Sequence, residues 1–288
     1  MDYKNKYLKY KQKYIALKAQ SVFVQGGSFK QKYIDLKNQT AGVYIGTNAD
    51  GSLTDIPELM FYHETAKHWS LKQALKFSHI RQDTRRFVAE MPWDFYNTPI
   101  PDNMPLNVFN RIFPNRIFPN AVGINISYRI DITDDDFIHL TQIKKLNMSW
   151  CYQPSITDTA FTHLTNLTTL NMSRCDQQTI TDAAFTHLTN LTTLSMMGCR
   201  QQTITDTAFT HLTNLTTLNM SACDQITITD AAFTNLTNLT TLYMSRCNQQ
   251  TITDAAFTHL TNLTTLNMIR CNQQTITDEA FTHLTNLM

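Results

Sequence analysis

From residue 133 onward, apolar and polar positions recur on a fixed period of 24 residues. Phe stands at 137, 161, 185, 209, 233, 257 and 281, and Leu at 146, 170, 194, 218, 242 and 266. Met follows two places after each Leu, from Met148 to Met268, and Cys closes each unit at 151, 175, 199, 223, 247 and 271. Within Leu170-Asn171-Met172 the apolar positions alternate, which predicts a short strand with Leu170 and Met172 inward and Asn171 outward. In Asp182-Ala-Ala-Phe185-Thr-His-Leu188 the apolar spacing changes to three, behind an Asp suited to capping a helix start. Each unit therefore reads as a strand, a turn and roughly two turns of helix on the opposite, convex side. Residues 133–288 hold six full units and a seventh that stops halfway.

One unit cannot fold alone, because ordering its backbone costs more than its few apolar side chains return. The strands become stable only as a continuous sheet whose core is closed by neighbouring units. The phrase Leu167-Thr-Thr-Leu170-Asn-Met172-Ser-Arg-Cys175 resembles the cysteine type of leucine-rich repeat. That resemblance implies an α/β solenoid with a parallel concave sheet and short convex helices. Upstream, Phe118, Ala121, Ile124 and Ile126 keep the repeat's apolar spacing without a cysteine, so 118–132 is expected to be an N-terminal cap strand. It lies within a linker and cap segment, 106–132, which overlaps Pro-rich residues 99–120 and contains a duplicated Ile-Phe-Pro-Asn at 112–115 and 117–120.

Cysteine at one position per turn gives neither the close pairs of a zinc site nor a disulfide framework. A buried thiol column that donates weakly to loop carbonyls is the simpler reading. The histidine column (139, 163, 187, 211, 259, 283), interrupted by Asn235, has no carboxylate or thiol at the same position and reads as convex surface. The recurring Thr168-Thr169 pair reads as strand-favouring filler. There is no Gly-rich phosphate loop and no G-x-S-x-G. The expectation is a chain with no cofactor, no metal and no enzymatic activity.

Residues 50–105 differ in kind. They open Leu53-Thr-Asp-Ile56-Pro57-Glu58-Leu59-Met60 and continue through Trp69, Leu71, Leu75, Phe77 and Ile80 as short amphipathic stretches. This resembles an F-box: the L-x-x-I-P-E-L opening, a helical middle, and the Lys76-to-Ile80 K-F-S-x-I segment. The chain departs from that family in carrying His63, Glu64, Lys67 and His68 where an apolar helix usually follows. The resemblance implies a small α-helical domain that docks on the Skp adaptor of a cullin ubiquitin ligase. Matched by position, it assigns adaptor binding to Ile56, Pro57, Glu58 and Leu59, with Leu71 and Leu75 behind them.

Charge divides the chain. Residues 1–132 carry 18 Lys and Arg against 11 Asp and Glu (+7), whereas 133–288 carry 6 against 12 (−6). The repeats are thus poor candidates for nucleic acid. Residues 1–40 form a basic tail, with Tyr3, Tyr7, Tyr10, Tyr14 and Leu17 as one helical stripe among lysines. Its Lys/Tyr-rich opening resembles those of proteins from giant, mimivirus-type viruses. With no apolar leader and no run of about 20 apolar residues, the expected location is cytoplasmic or nuclear, in a host cell if the protein is viral.

Comparing units shows where a partner would bind. Core columns hardly vary, while those flanking the strand do: Trp150, Arg174, Gly198, Ala222, Arg246, Arg270 in one, and Tyr152, Asp176, Arg200, Asp224, Asn248, Asn272 in the next. The outward strand column is Asn except for Ser195 and Tyr243. Trp150, Tyr152, Arg174, Asp176, Arg200, Tyr243, Arg246 and Arg270 are therefore the candidate partner-binding residues of the concave face and its rim. Two functions fit: a substrate receptor for a Skp/cullin-type ubiquitin ligase, or a binding scaffold with no link to ubiquitin. Residues 277–288 are expected to form only a convex helix, leaving the strand edge at Leu266–Met268 open.

Overall fold

The computed structural model describes residues 93–97, 99, 100, 104, 106 and 118–287. The basic tail and the F-box-like positions Ile56, Pro57, Glu58, Leu59, Leu71 and Leu75 lie outside the described residues. Seven strands form one parallel sheet in chain order: β1 (Gly123–Asn125), β2 (Lys145–Asn147), β3 (Thr169–Asn171), β4 (Thr193–Ser195), β5 (Thr217–Asn219), β6 (Thr241–Tyr243) and β7 (Thr265–Asn267). The register pairs equivalent residues, so Leu146, Leu170, Leu194, Leu218, Leu242 and Leu266 lie side by side. In β3 the middle residue is buried and its neighbours are half-buried, as the alternation requires. β1 lies within 118–132 and pairs in parallel with β2.

The convex segments are shorter than the sequence suggested. Asp134–Phe137 and Asp158–Phe161 are single α-helical turns, and the later units have 3-10 turns such as Asp182–Phe185 and Asp206–Phe209. Beyond these turns the apolar side chains keep a spacing of three. Leu188 N–H donates to the Phe185 carbonyl and Leu191 N–H to the Leu188 carbonyl, both at 3.0 Å. A 3-10 turn superposes residues three apart, and so turns Phe185, Leu188 and Leu191 inward together.

Polar side chains tie each unit to the next. The helix cap is the preceding Thr, whose hydroxyl accepts from the backbone two residues on, as Thr205 does from Thr207 N–H. The Asp expected to cap instead reaches the following unit. Asp206 accepts from Thr229 N–H and from its hydroxyl, both at 2.7 Å. The first Thr of each pair is likewise more than filler, since Thr192 Oγ1 donates to the Thr168 carbonyl at 3.0 Å. Asn190 Nδ2 donates to the Thr165 carbonyl at 2.9 Å, and the other units repeat this bond.

Because Asp206 holds two partners of the next unit, Asp206→Ala is expected to cost about 2–3 kcal/mol, two charge-assisted bonds less what water restores. Asp206→Asn, which can still accept one of them, should lose less. Urea unfolding of both variants checks this. An Ala variant within about 0.5 kcal/mol of wild type would show that these bonds add nothing net.

The cysteine column is buried up to Cys247, with Cys271 partly exposed. Each Sγ points back to a carbonyl of the preceding unit: Cys175 to Met148 at 3.0 Å, Cys199 to Met172 at 3.0 Å and Cys223 to Met196 at 2.8 Å. Burial pushes the thiols of Cys151, Cys199 and Cys247 up to about 12 and those of Cys175 and Cys223 well above their ordinary value. They therefore remain S–H donors at neutral pH and do not ionise as reactive thiolates.

At the N-terminal end, residues 93–97, 99 and 100 run beside β1. Phe95 N–H donates to the Gly123 carbonyl and Ile100 N–H to the Asn125 carbonyl, both at 2.8 Å. Trp93, Phe95 and Phe118 pack there as one aromatic cluster, with ring centroids 5.2–5.9 Å apart. A Cβ on Gly123 would stand 2.2 Å from Asp94 Oδ1, so any larger residue there would displace the Asp94 carboxylate. At the other end, Asp278–Phe281 forms the expected convex turn, and Phe281 packs on Phe257 at 6.2 Å. The β7 residues remain partly exposed, as expected for that edge.

Candidate protein-interaction surface

Beyond each strand the chain turns sharply toward the cysteine. In β3's unit, Cys175 N–H closes the turn on the Met172 carbonyl at 3.1 Å. The residue before the cysteine adopts a left-handed backbone: φ is 61° at Trp150, 57° at Arg174, 70° at Gly198, 56° at Ala222, 59° at Arg246 and 62° at Arg270. Non-glycine residues there cost on the order of 1–2 kcal/mol each. The turns persist because their N–H groups extend the sheet ladder, as Arg174 N–H does to the Met197 carbonyl at 2.8 Å. The variable column is thus a row of equivalent turn positions.

Four members of this row and its neighbour meet. Trp150 stacks on Tyr128 at 5.8 Å with the rings 15° apart, and Tyr152 meets Trp150 edge-on at 6.3 Å. The Arg174 guanidinium lies 4.6 Å from the Trp150 ring centre, a cation–π contact. Gly198 gives the Arg174 stem room, since a Cβ there would stand 3.1 Å from Arg174 Cγ. Tyr128 and Tyr152 are 64% and 51% exposed, so the cluster is open to solvent. Partial burial, and then the Asp176 carboxylate, raise the Tyr152 phenol above its ordinary value. Asp176 in turn accepts from Arg200 N–H at 3.0 Å.

Trp150, Tyr152, Arg174, Asp176 and Arg200 therefore lie on adjoining units, whereas Tyr243, Arg246 and Arg270 belong to the far end of the row. Small Gly198 and Ala222 separate the two groups. The outward Asn column is committed elsewhere. Asn171 Oδ1 accepts from Ser173 N–H at 3.0 Å and from its hydroxyl at 2.6 Å, and Asn147 and Asn125 hold their turns in the same way. These asparagines brace the turn, and Tyr243 departs from the pattern.

Two features escaped the sequence reading. Tyr128 has the same left-handed φ, 64°, but precedes Trp150 by less than a full repeat, because β1 pairs Ile124 with Leu146. A search at the repeat period passes over it. Second, Gln177, Gln201, Gln225, Gln249 and Gln273 are buried, and each from Gln201 on donates Nε2 to the glutamine carbonyl one unit back. Their Oε1 atoms accept no protein hydrogen bond. The signal was a glutamine two residues after each cysteine.

Among the described residues no group of His, Cys, Asp and Glu could hold a metal ion, and no helix is long and apolar enough to cross a membrane.

Residues 154–288 match, in six copies, the family model described as BspA type Leucine rich repeat region. No curated protein matches the chain. Internalin C2 of Listeria monocytogenes str. 4b F2365 superposes with a TM-score of 0.54 at 22% identity, covering 75% of this chain and 88% of its own. TLR13, solved in complex with ssRNA13, superposes with a TM-score of 0.50 at 19% identity, over 70% of this chain and 32% of its own. The internalin inlF of the same Listeria strain gives a TM-score of 0.46 at 24% identity, over 59% and 47%. The chain thus spans less than half the length of inlF and of TLR13. The likeness is one of fold: the repeat region is a leucine-rich-repeat solenoid.

Proposed function

We propose that the protein is a non-catalytic interaction module that receives a protein partner on the repeat rim and presents it to a Skp/cullin-type ubiquitin ligase. The observation that carries the first half is the exposed cluster of Tyr128, Trp150, Tyr152 and Arg174. Aromatic and arginine side chains held in place by mutual stacking lose little freedom on binding, which makes them effective interface anchors. The second half is supported by the F-box-like Leu53-to-Leu59 opening placed ahead of cysteine-type repeats. In this reading Ile56, Pro57, Glu58 and Leu59 meet the adaptor, with Leu71 and Leu75 behind them. The protein then works in the cytoplasm or nucleus of a host cell, redirecting degradation.

The test is calorimetry of the full chain against purified Skp adaptor. Binding should be measurable for wild type and lost in a Pro57→Ala, Leu59→Ala double variant whose circular dichroism is unchanged. If wild type fails to bind, the second reading, a scaffold with no link to ubiquitin, takes its place. That reading is favoured by the rim cluster, which stands on the repeats alone.

A further inference from the structure

The six Lys and Arg residues of 133–288 are Lys144, Lys145, Arg174, Arg200, Arg246 and Arg270, and the last four all stand in the two rim columns. Only Asp176 and Asp224 share those columns, and the other ten acidic residues lie elsewhere, seven of them at the starts of the convex turns. A region that is acidic as a whole therefore has a rim of the opposite sign. Lys145 is already paired, with Asp94 at 2.7 Å. We propose that the rim binds an acidic peptide segment of a partner protein, with one apolar side chain against Trp150 and Tyr152 and carboxylates on Arg174 and Arg246. This rests on the reading that the repeat rim receives a protein.

The spacing defines the ligand further. Arg174 and Arg246 follow strands three rungs apart, about 14 Å at the usual spacing of strands. Gly198 and Ala222 form the floor between them, leaving a notch that an extended chain can cross in about four residues. A carboxylate at either end would then meet an arginine. The interleaved Asp176 and Asp224 disfavour a polyphosphate, whose charges are continuous along the strand. A peptide can place an uncharged residue opposite each aspartate.

The probe is a synthetic peptide in which Phe adjoins one Glu and a second Glu stands four residues on. It is titrated into the full chain with tryptophan emission and calorimetry as readouts. Of Trp69, Trp93 and Trp150, the Trp150→Gly variant identifies the responding ring. Glycine suits these left-handed turns, so Trp150→Gly, Arg174→Gly and Arg246→Gly remove side chains without straining the backbone.

Each variant should weaken binding at least tenfold, and added salt should weaken binding to wild type. Arg246→Gly keeps the test decisive if the Trp150 variant fails to fold, because it touches none of the aromatic rings. A peptide with Lys in place of Glu that binds equally well would overturn the acidic preference while leaving a protein-binding rim in place. Displacement of the peptide by a short single-stranded RNA would overturn it in favour of nucleic acid. No binding by any peptide would overturn it outright, and the adaptor measurement stands apart from all three outcomes.

Discussion

Leu170→Asp should unfold the units around β3. Leu170 has no solvent exposure and lies between Leu146 and Leu194 in the sheet. The substitution forfeits about 2–5 kcal/mol of burial and packing. Keeping the new carboxyl neutral in a dry layer at pH 7 costs roughly 4 kcal/mol more. The sum is comparable to the whole stability of many domains. Because each unit contacts only its neighbours, the break divides the array instead of weakening it evenly. The control is Leu266→Asp in β7, where the side chain is only half-buried and the cost should be much smaller. Equal losses in urea unfolding of the two variants, or none in Leu170→Asp, would contradict the packing described.

The second large effect is alkaline. Burial raises the folded-state thiols of Cys151, Cys199 and Cys247 to about 12, above the ordinary value of 9.0 that they regain on unfolding. Cys175 and Cys223 shift the same way. A group whose pKa is raised by folding leaves stability intact below its unfolded pKa and removes it as pH climbs toward the folded value. From pH 9.0 to about 12, each such thiol therefore withdraws about 1.4 kcal/mol per pH unit. Under reducing conditions the repeats should lose their circular dichroism cooperatively in this window. Cys199→Ala should make the loss shallower, a change that titrating lysines and tyrosines would not produce. A flat signal to the end of the window, or an unchanged slope in Cys199→Ala, would count against it.

Much of this fold was legible because identical residues had to occupy identical environments. Leu170, Met172, Cys175 and Phe185 could be assigned to the core from their columns, and Ile124 and Ile126 from the same apolar spacing upstream. What the columns could not convey was geometry finer than inside or outside. Asp182 looked like a helix cap because its bond to Thr205 crosses to another unit, and no local pattern displays that. Phe185 and Leu188, three apart, suit an α-helix and a 3-10 turn alike. The rim was legible in part: Trp150, Tyr152 and Arg174 stood out as varying positions, and the structure brings them into contact. Tyr128 was hidden by its shorter offset, and no column pattern shows that the outward Asn171 side chain folds back onto its own turn.

Nearly every bond between units, from the Asp206–Thr229 pair to the Cys223–Met196 contact, joins a residue to a counterpart about one period away. Excising 24 consecutive residues from the interior would rejoin two surfaces that already match, and inserting 24 would extend the same lattice. Array length is therefore close to a neutral variable, free to expand or contract without a new core having to be found. The cap with Tyr128, and the Trp150 unit beside it, would keep their place at one end. Arg246 and Arg270 would move outward or inward in whole steps, so that counting repeats becomes a way of tuning reach.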